Sequence, residues 1–243
     1  MNMTTPWTAD AVDTAQPAQR RTPVPAWAEI LLVIVTFYAV GEIPWIEYTG
    51  PVALIASVLV ITVLLRLRGT GWSSLGLRGP QSARDVLKGA GMVVLVFLGA
   101  ALTNAISMVV LGSLLGAEAE REFMDVSTFP KYLLMMGIVW TTASFCEEMV
   151  FRGFLMHRAV EMLGSRRFAW ILAAIFQAVL FGLVHAYQGI GGILTTGLTF
   201  GLLYLVARRN LWPTIIGHGL VNTFGITVLH LQAIGAINTS GLG

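Results

Sequence analysis

Glu147 and Glu148 stand side by side in an apolar stretch running from Leu133 to Phe151, with Arg152 four residues after Glu148. Ionisable side chains at membrane depth cost roughly 2.5–3.5 kcal/mol each on insertion scales, so such a placement calls for a use. Two later apolar stretches each carry a histidine: Phe181-Gly182-Leu183-Val184-His185 and His218-Gly219-Leu220-Val221-Asn222. A carboxylate that can take a proton from water, two imidazoles and an amide donor are the parts from which hydrolytic sites are built.

Spacing divides these residues into roles. Glu148 and Arg152 are i, i+4 on a helix with the acid first, the favourable order for an ion pair. Glu147 lies about 100° around an α-helix from Glu148. Arg152 is therefore expected to neutralise Glu148 and leave Glu147 available as a general base. His218 and Asn222 are also i, i+4, so one helix face presents both, with Gly219 leaving room beside them. Such a face can donate hydrogen bonds toward one point or offer an imidazole to a metal. The plainer alternative is that these polar groups only tie helices together inside the bilayer.

Neighbouring residues carry less chemistry. Cys146 is the only cysteine and adjoins Glu147, yet one step along a helix points it elsewhere, which argues against a thiol nucleophile. His157 and His230 read as interfacial. The chain has no H-E-x-x-H zinc helix, no G-x-S-x-G serine turn and no intramembrane aspartate pair.

The elements that must carry these residues are membrane helices. Of 243 residues 56% are hydrophobic and only 12% charged, far below the quarter typical of soluble domains. Mean hydropathy is +0.75. The fold class is all-α, a polytopic helix bundle with seven spans near 26–41, 51–67, 87–115, 131–157, 168–190, 193–207 and 211–233. Residues 1–25, rich in Thr, Pro, Ala and Gln, read as a disordered cytoplasmic tail, and 26–243 as a single transmembrane domain. The net charge of +2 is scattered between apolar runs, which gives nucleic acid no patch to bind.

Loop charge orients the bundle. With a cytoplasmic N-terminus, inside segments hold twelve of the fifteen basic residues, from Arg20 and Arg21 through Arg66, Arg68, Arg78, Arg84 and Lys88 to Arg158, Arg166, Arg167, Arg208 and Arg209. This gives N-in, C-out in a cell membrane by the positive-inside rule. Glycine and proline punctuate the loops, including Gly189-Ile190-Gly191-Gly192 as a turn after His185, and most tryptophans fall near span ends as an aromatic belt. Counting residues from the hairpins places Glu147 and His185 at nearly one level, toward the cytoplasmic half.

The three segments together resemble the CPBP intramembrane proteases, the family of type II CAAX prenyl endopeptidases and bacterial Abi and bacteriocin-processing proteins. Its E-E-x-x-x-R, F-x-x-x-H and H-x-x-x-N patterns match Glu147 to Arg152, Phe181 to His185 and His218 to Asn222 in order and without a departure. Trp72-Ser73-Ser74-Leu75-Gly76-Leu77 is similar to the W-x-x-L-G-L element of prokaryotic members. The shared core would run from about 132 to 227. The resemblance implies a glutamate-dependent peptidase: Glu147 and His185 hold a water, and His218 and Asn222 stabilise the oxyanion. Glu148 and Arg152 support the site or hold substrate, and Phe181 lines the cavity. Glu147, His185 and His218 would also supply three zinc ligands with an open position, so zinc and a metal-free water both stand open. The implied partners are peptide or lipidated-protein substrates and membrane lipid.

Two other functions compete. A bacteriocin-immunity or scaffold protein would bind a peptide in the same cavity without cutting it. A proton-coupled transporter would use Glu147 and His185 as a relay, against which stands the expectation that the first three spans hold no charge partner.

Overall fold

The computed structural model describes residues 24–45, 48–115, 125–164, 168–185 and 190–237. Among these residues the chain is helical with no strand. Seven helices follow one another: α1 (Ala26–Gly41), α2 (Thr49–Leu67), α3 (Ala83–Leu115), α4 (Phe129–Leu163), α5 (Ala169–Val184), α6 (Ile190–Val206) and α7 (Leu211–Ala233). A single 3-10 turn, Trp72–Leu75, lies between α2 and α3. Four segments are long and apolar enough to cross a membrane: α2, Ala83–Thr103 of α3, α4 and α7. The other three helices are apolar but shorter. The proposed tail lies outside the described residues except for Val24 and Pro25.

Helix α4 is the hub, packing against α1, α2, α5 and α7. Its start carries Pro130 in the first turn, where no backbone donor is lost. From Val139 to Leu155 the helix widens into π geometry on both sides of Glu147: the Glu147 amide bonds the Thr142 carbonyl and the Met156 amide that of Phe151, five residues back. Such widened turns are rare and concentrate at functional positions. Every residue from Cys146 to Met156 is buried.

Helix α7 opens with Asn210, whose Oδ1 accepts from the Trp212 amide at 3.1 Å. Glycines on either side of His218 let α7 approach two neighbours closely. A Cβ at Gly217 would sit 2.4 Å from Val96 of α3, and one at Gly219 2.5 Å from Trp140 of α4. Trp140 is thus an internal packing residue, with its Nε1 donating to Thr223 Oγ1 at 3.0 Å, and does not belong to the aromatic belt.

Three sequence expectations need correction. Helix α5 stops at Val184: His185 leaves helical geometry with φ −106° and ψ 21°, and its Nδ1 turns back onto the Phe181 carbonyl at 2.9 Å. Gly191 and Gly192 belong to the first turn of α6 rather than to the preceding turn. The first helices also do hold a charge partner. Glu29 of α1 is fully buried, with Oε1 2.8 Å from Arg68 Nε and Oε2 3.3 Å from Arg158 Nε, and both arginines also pair with Glu161. The apolar span containing Glu29 concealed this pairing, since its partners are far away in sequence. The network joins α1, α2 and the end of α4. Beyond the end of α2, Arg68 loses hydration on burial, but its bonds to Glu29 and Glu161 outweigh that and raise its pKa further.

Candidate active site

The adjacent glutamates face different helices. Glu147 turns to α5, where its Oε1 lies 3.6 Å from His185 Nε2. Glu148 turns to α7, where its Oε1 lies 3.0 Å from His218 Nδ1 and 3.1 Å from Arg152 Nη1. The i, i+4 ion pair read from the sequence is present. Its extension to His218 is a tertiary contact that spacing could not show.

Hydrogen-bond chemistry fixes both imidazoles. A carbonyl oxygen only accepts, so His185 Nδ1 must carry the proton it donates to Phe181. Its Nε2 is then the ring nitrogen that faces Glu147. By the same argument, His218 Nδ1 donates to the Glu148 carboxylate, which orients the ring. That leaves His218 Nε2 as the nitrogen not engaged by Glu148. Asn222, one turn further along α7, is half-buried and has no hydrogen-bond partner among the described residues, so its amide is available to a ligand.

Aromatic rings enclose the charges. The Arg152 guanidinium lies 4.7 Å from the Phe181 ring centroid and 5.2 Å from that of Phe200. Phe181 also backs the His185 ring at 4.4 Å, and Phe200 backs His218 at 4.6 Å. Phe181 is 3% exposed and serves as a platform for His185 and Arg152. Glu148 and Arg152 are fully buried. That burial suits support of the site and leaves a substrate carboxylate no surface of Arg152 to touch.

Gln177 is a site residue that sequence reasoning missed. It is fully buried on α5, one turn before Phe181 and two before His185, and its Nε2 donates to the Gly197 carbonyl at 2.8 Å. Arg152 Nη2 approaches the same carbonyl at 3.4 Å. A Cβ at Gly201 would lie 2.6 Å from the Gln177 Nε2, so the amide occupies space only glycine leaves. The available signal was the single amide in the otherwise apolar run Ala169–Val184. Cys146 lies among the buried residues of the hydrophobic core.

Glu147, His185 and His218 do not converge as zinc ligands. Among the described residues no group of three His, Cys, Asp or Glu side chains is close enough to hold a metal ion. As placed, these side chains do not fit a three-ligand zinc site.

Residues 129–224, which include every residue of the three motifs, match the family model described as type II CAAX prenyl endopeptidase Rce1-like. The chain carries an Rce1-like domain. Neither a curated protein nor a solved structure matches the chain. The Rce1-like domain opens with α4 and closes within α7, so it contains the π-widened carboxylate helix, both histidine helices and Gln177. Helices α1 to α3 and the Trp72–Leu75 turn lie ahead of it. A groove lined by Phe97, Leu220, Thr223, Phe224 and Thr227 lies between α3 and the face of α7 opposite His218 and Asn222.

Proposed function

We propose that this protein is an intramembrane endopeptidase that cleaves membrane-associated or lipidated peptides with a water activated by Glu147. The observation that carries the reading is the Glu147–His185 approach at 3.6 Å beside the separate Glu148–His218 contact, all within apolar helices. The Rce1-like domain supports a membrane endopeptidase with a peptide or protein substrate.

The reaction uses one proton pair at a time. Glu147, with His185 beside it, takes a proton from water, and the resulting hydroxide attacks the scissile carbonyl carbon. His218, protonated and held by Glu148, donates from Nε2 to the developing oxyanion, with the Asn222 amide as second donor. As the tetrahedral intermediate collapses, the C–N bond breaks and the proton held by Glu147 and His185 passes to the leaving nitrogen. The products are a carboxylic acid and an amine, with one water consumed.

We also place the N-terminus in the cytoplasm and the C-terminus outside, with the site toward the cytoplasmic half. Arginines of separate loops meet at one end of the bundle, Arg68 with Arg158 through Glu29 and Glu161, and Arg78 with the Arg208–Arg209 turn. That clustering supports the orientation.

The test is cleavage of a membrane-tethered peptide by purified protein in lipid. Fragment release should fall at least ~100-fold in both Glu147→Ala and His185→Ala. Peptide binding without cleavage by the intact protein would overturn the reading in favour of a scaffold.

A further inference from the structure

The Trp72–Arg78 segment lies outside the Rce1-like domain, yet it touches most of the helices that build the site. Trp72 Nε1 donates to Thr62 of α2 at 3.0 Å, and its ring lies 5.6 Å from Phe145, two residues before Glu147. Leu75 and Leu211 sit in the hollow left by Gly153, next to Arg152: a Cβ there would meet them at 3.4 and 3.2 Å. The Leu75 carbonyl accepts from the buried Tyr204 hydroxyl of α6 at 3.1 Å.

The segment's second half holds the turn between α6 and α7. The Gly76 carbonyl accepts from the Leu211 amide, the first residue of α7, at 2.9 Å. Gly76 has φ +95°, and a Cβ on it would lie 2.2 Å from the Arg209 carbonyl oxygen. Arg78 Nη2 donates to the carbonyls of Arg208 and Arg209, each at 3.2 Å. Both arginines have left-handed backbones, φ 53° and 58°, which non-glycine residues adopt only when their surroundings hold them there. His218 follows Leu211 by seven residues, two helical turns on the same face.

We propose that Trp72–Arg78 is a positioning element for the active site: by clamping the strained Arg208–Arg209 turn and the Gly153 region of α4, it sets the contact between Glu148 and His218. The clamp acts through the backbone and touches no substrate. It rests on the peptidase reading only for its effect on rate; its effect on His218 is independent of what the site does.

Two readouts on the full chain in lipid separate these levels. The protein has four histidines, so spectra of 15N-histidine-labelled protein can resolve the His218 Nδ1 proton, assigned by its loss in His218→Gln. Arg78→Ala, at an exposed position, should weaken that resonance and lower kcat about three- to tenfold with KM unchanged, the scale of one ordinary hydrogen bond. Adding Arg208→Gly and Arg209→Gly, which remove the left-handed penalty, should restore both. Tyr204→Phe should shift the resonance in the same direction by less. The proposal is overturned if folded Arg78→Ala and Tyr204→Phe keep the native resonance, or if the glycines restore nothing. Failure of the intact protein to cleave any tethered peptide would sink the peptidase reading and leave the resonance result to decide the clamp.

Discussion

His218 Nδ1 lies 3.0 Å from Glu148 Oε1, so the second of two adjacent glutamates is tied to the last helix while the first meets His185. Neighbours in sequence thus belong to different pairs. On the proposed mechanism the first pair serves catalysis and the second supports it, a division that substitutions can read.

Glu147→Gln should abolish cleavage, by at least ~100-fold, with little change in thermal stability, because the proposed mechanism uses Glu147 as the base and no buried cation depends on it alone for neutralisation. Glu148→Gln should lower both. It leaves Arg152 fully buried without its counter-charge, a loss of about 3–5 kcal/mol. Melting curves and rates on both variants check this, and equal melting temperatures would contradict the division.

Gly219→Ala introduces a methyl 2.5 Å from the Trp140 ring, so α7 must move away from α4 and carry His218 with it. A stability loss of about 1–3 kcal/mol and a drop in kcat are expected. Trp140→Leu in the same chain removes the clash and should return part of the rate. If the double variant is no better than the single one, close packing at Gly219 is not what places His218.

Gln177→Leu keeps the volume and removes the amide that shares the Gly197 carbonyl with Arg152. Destabilisation of about 1–3 kcal/mol is expected for the partner left short of a bond. The rate should fall as Arg152 loses its alignment with Glu148, and Gln177→Asn should not recover it, being one methylene short. Full activity in Gln177→Leu would show that the amide only fills space.

Extensive dialysis against a chelator should leave cleavage intact, since the carboxylate and imidazoles are divided between two pairs and do not gather as three ligands. Loss of activity that zinc restores would reverse this conclusion.

Much of this protein is decided locally, and locally decided features are readable in sequence. Apolar runs interrupted by charged loops specify helices, because backbone donors in lipid must be satisfied within the segment. The i, i+4 spacing of Glu148 and Arg152 specifies their 3.1 Å pair, since both lie on one helix. The types and order of Glu147, His185, His218 and Asn222 sufficed to suggest a hydrolytic site. Tertiary structure alone decided that Glu148 reaches His218, that Glu29 meets Arg68 and Arg158, and that Gln177 shares a carbonyl with Arg152. Each of those contacts depends on how one helix is rotated and shifted against another. Side-chain volumes at Gly217, Gly219 and Gly201 set that registry across interfaces whose two sides lie far apart in the chain.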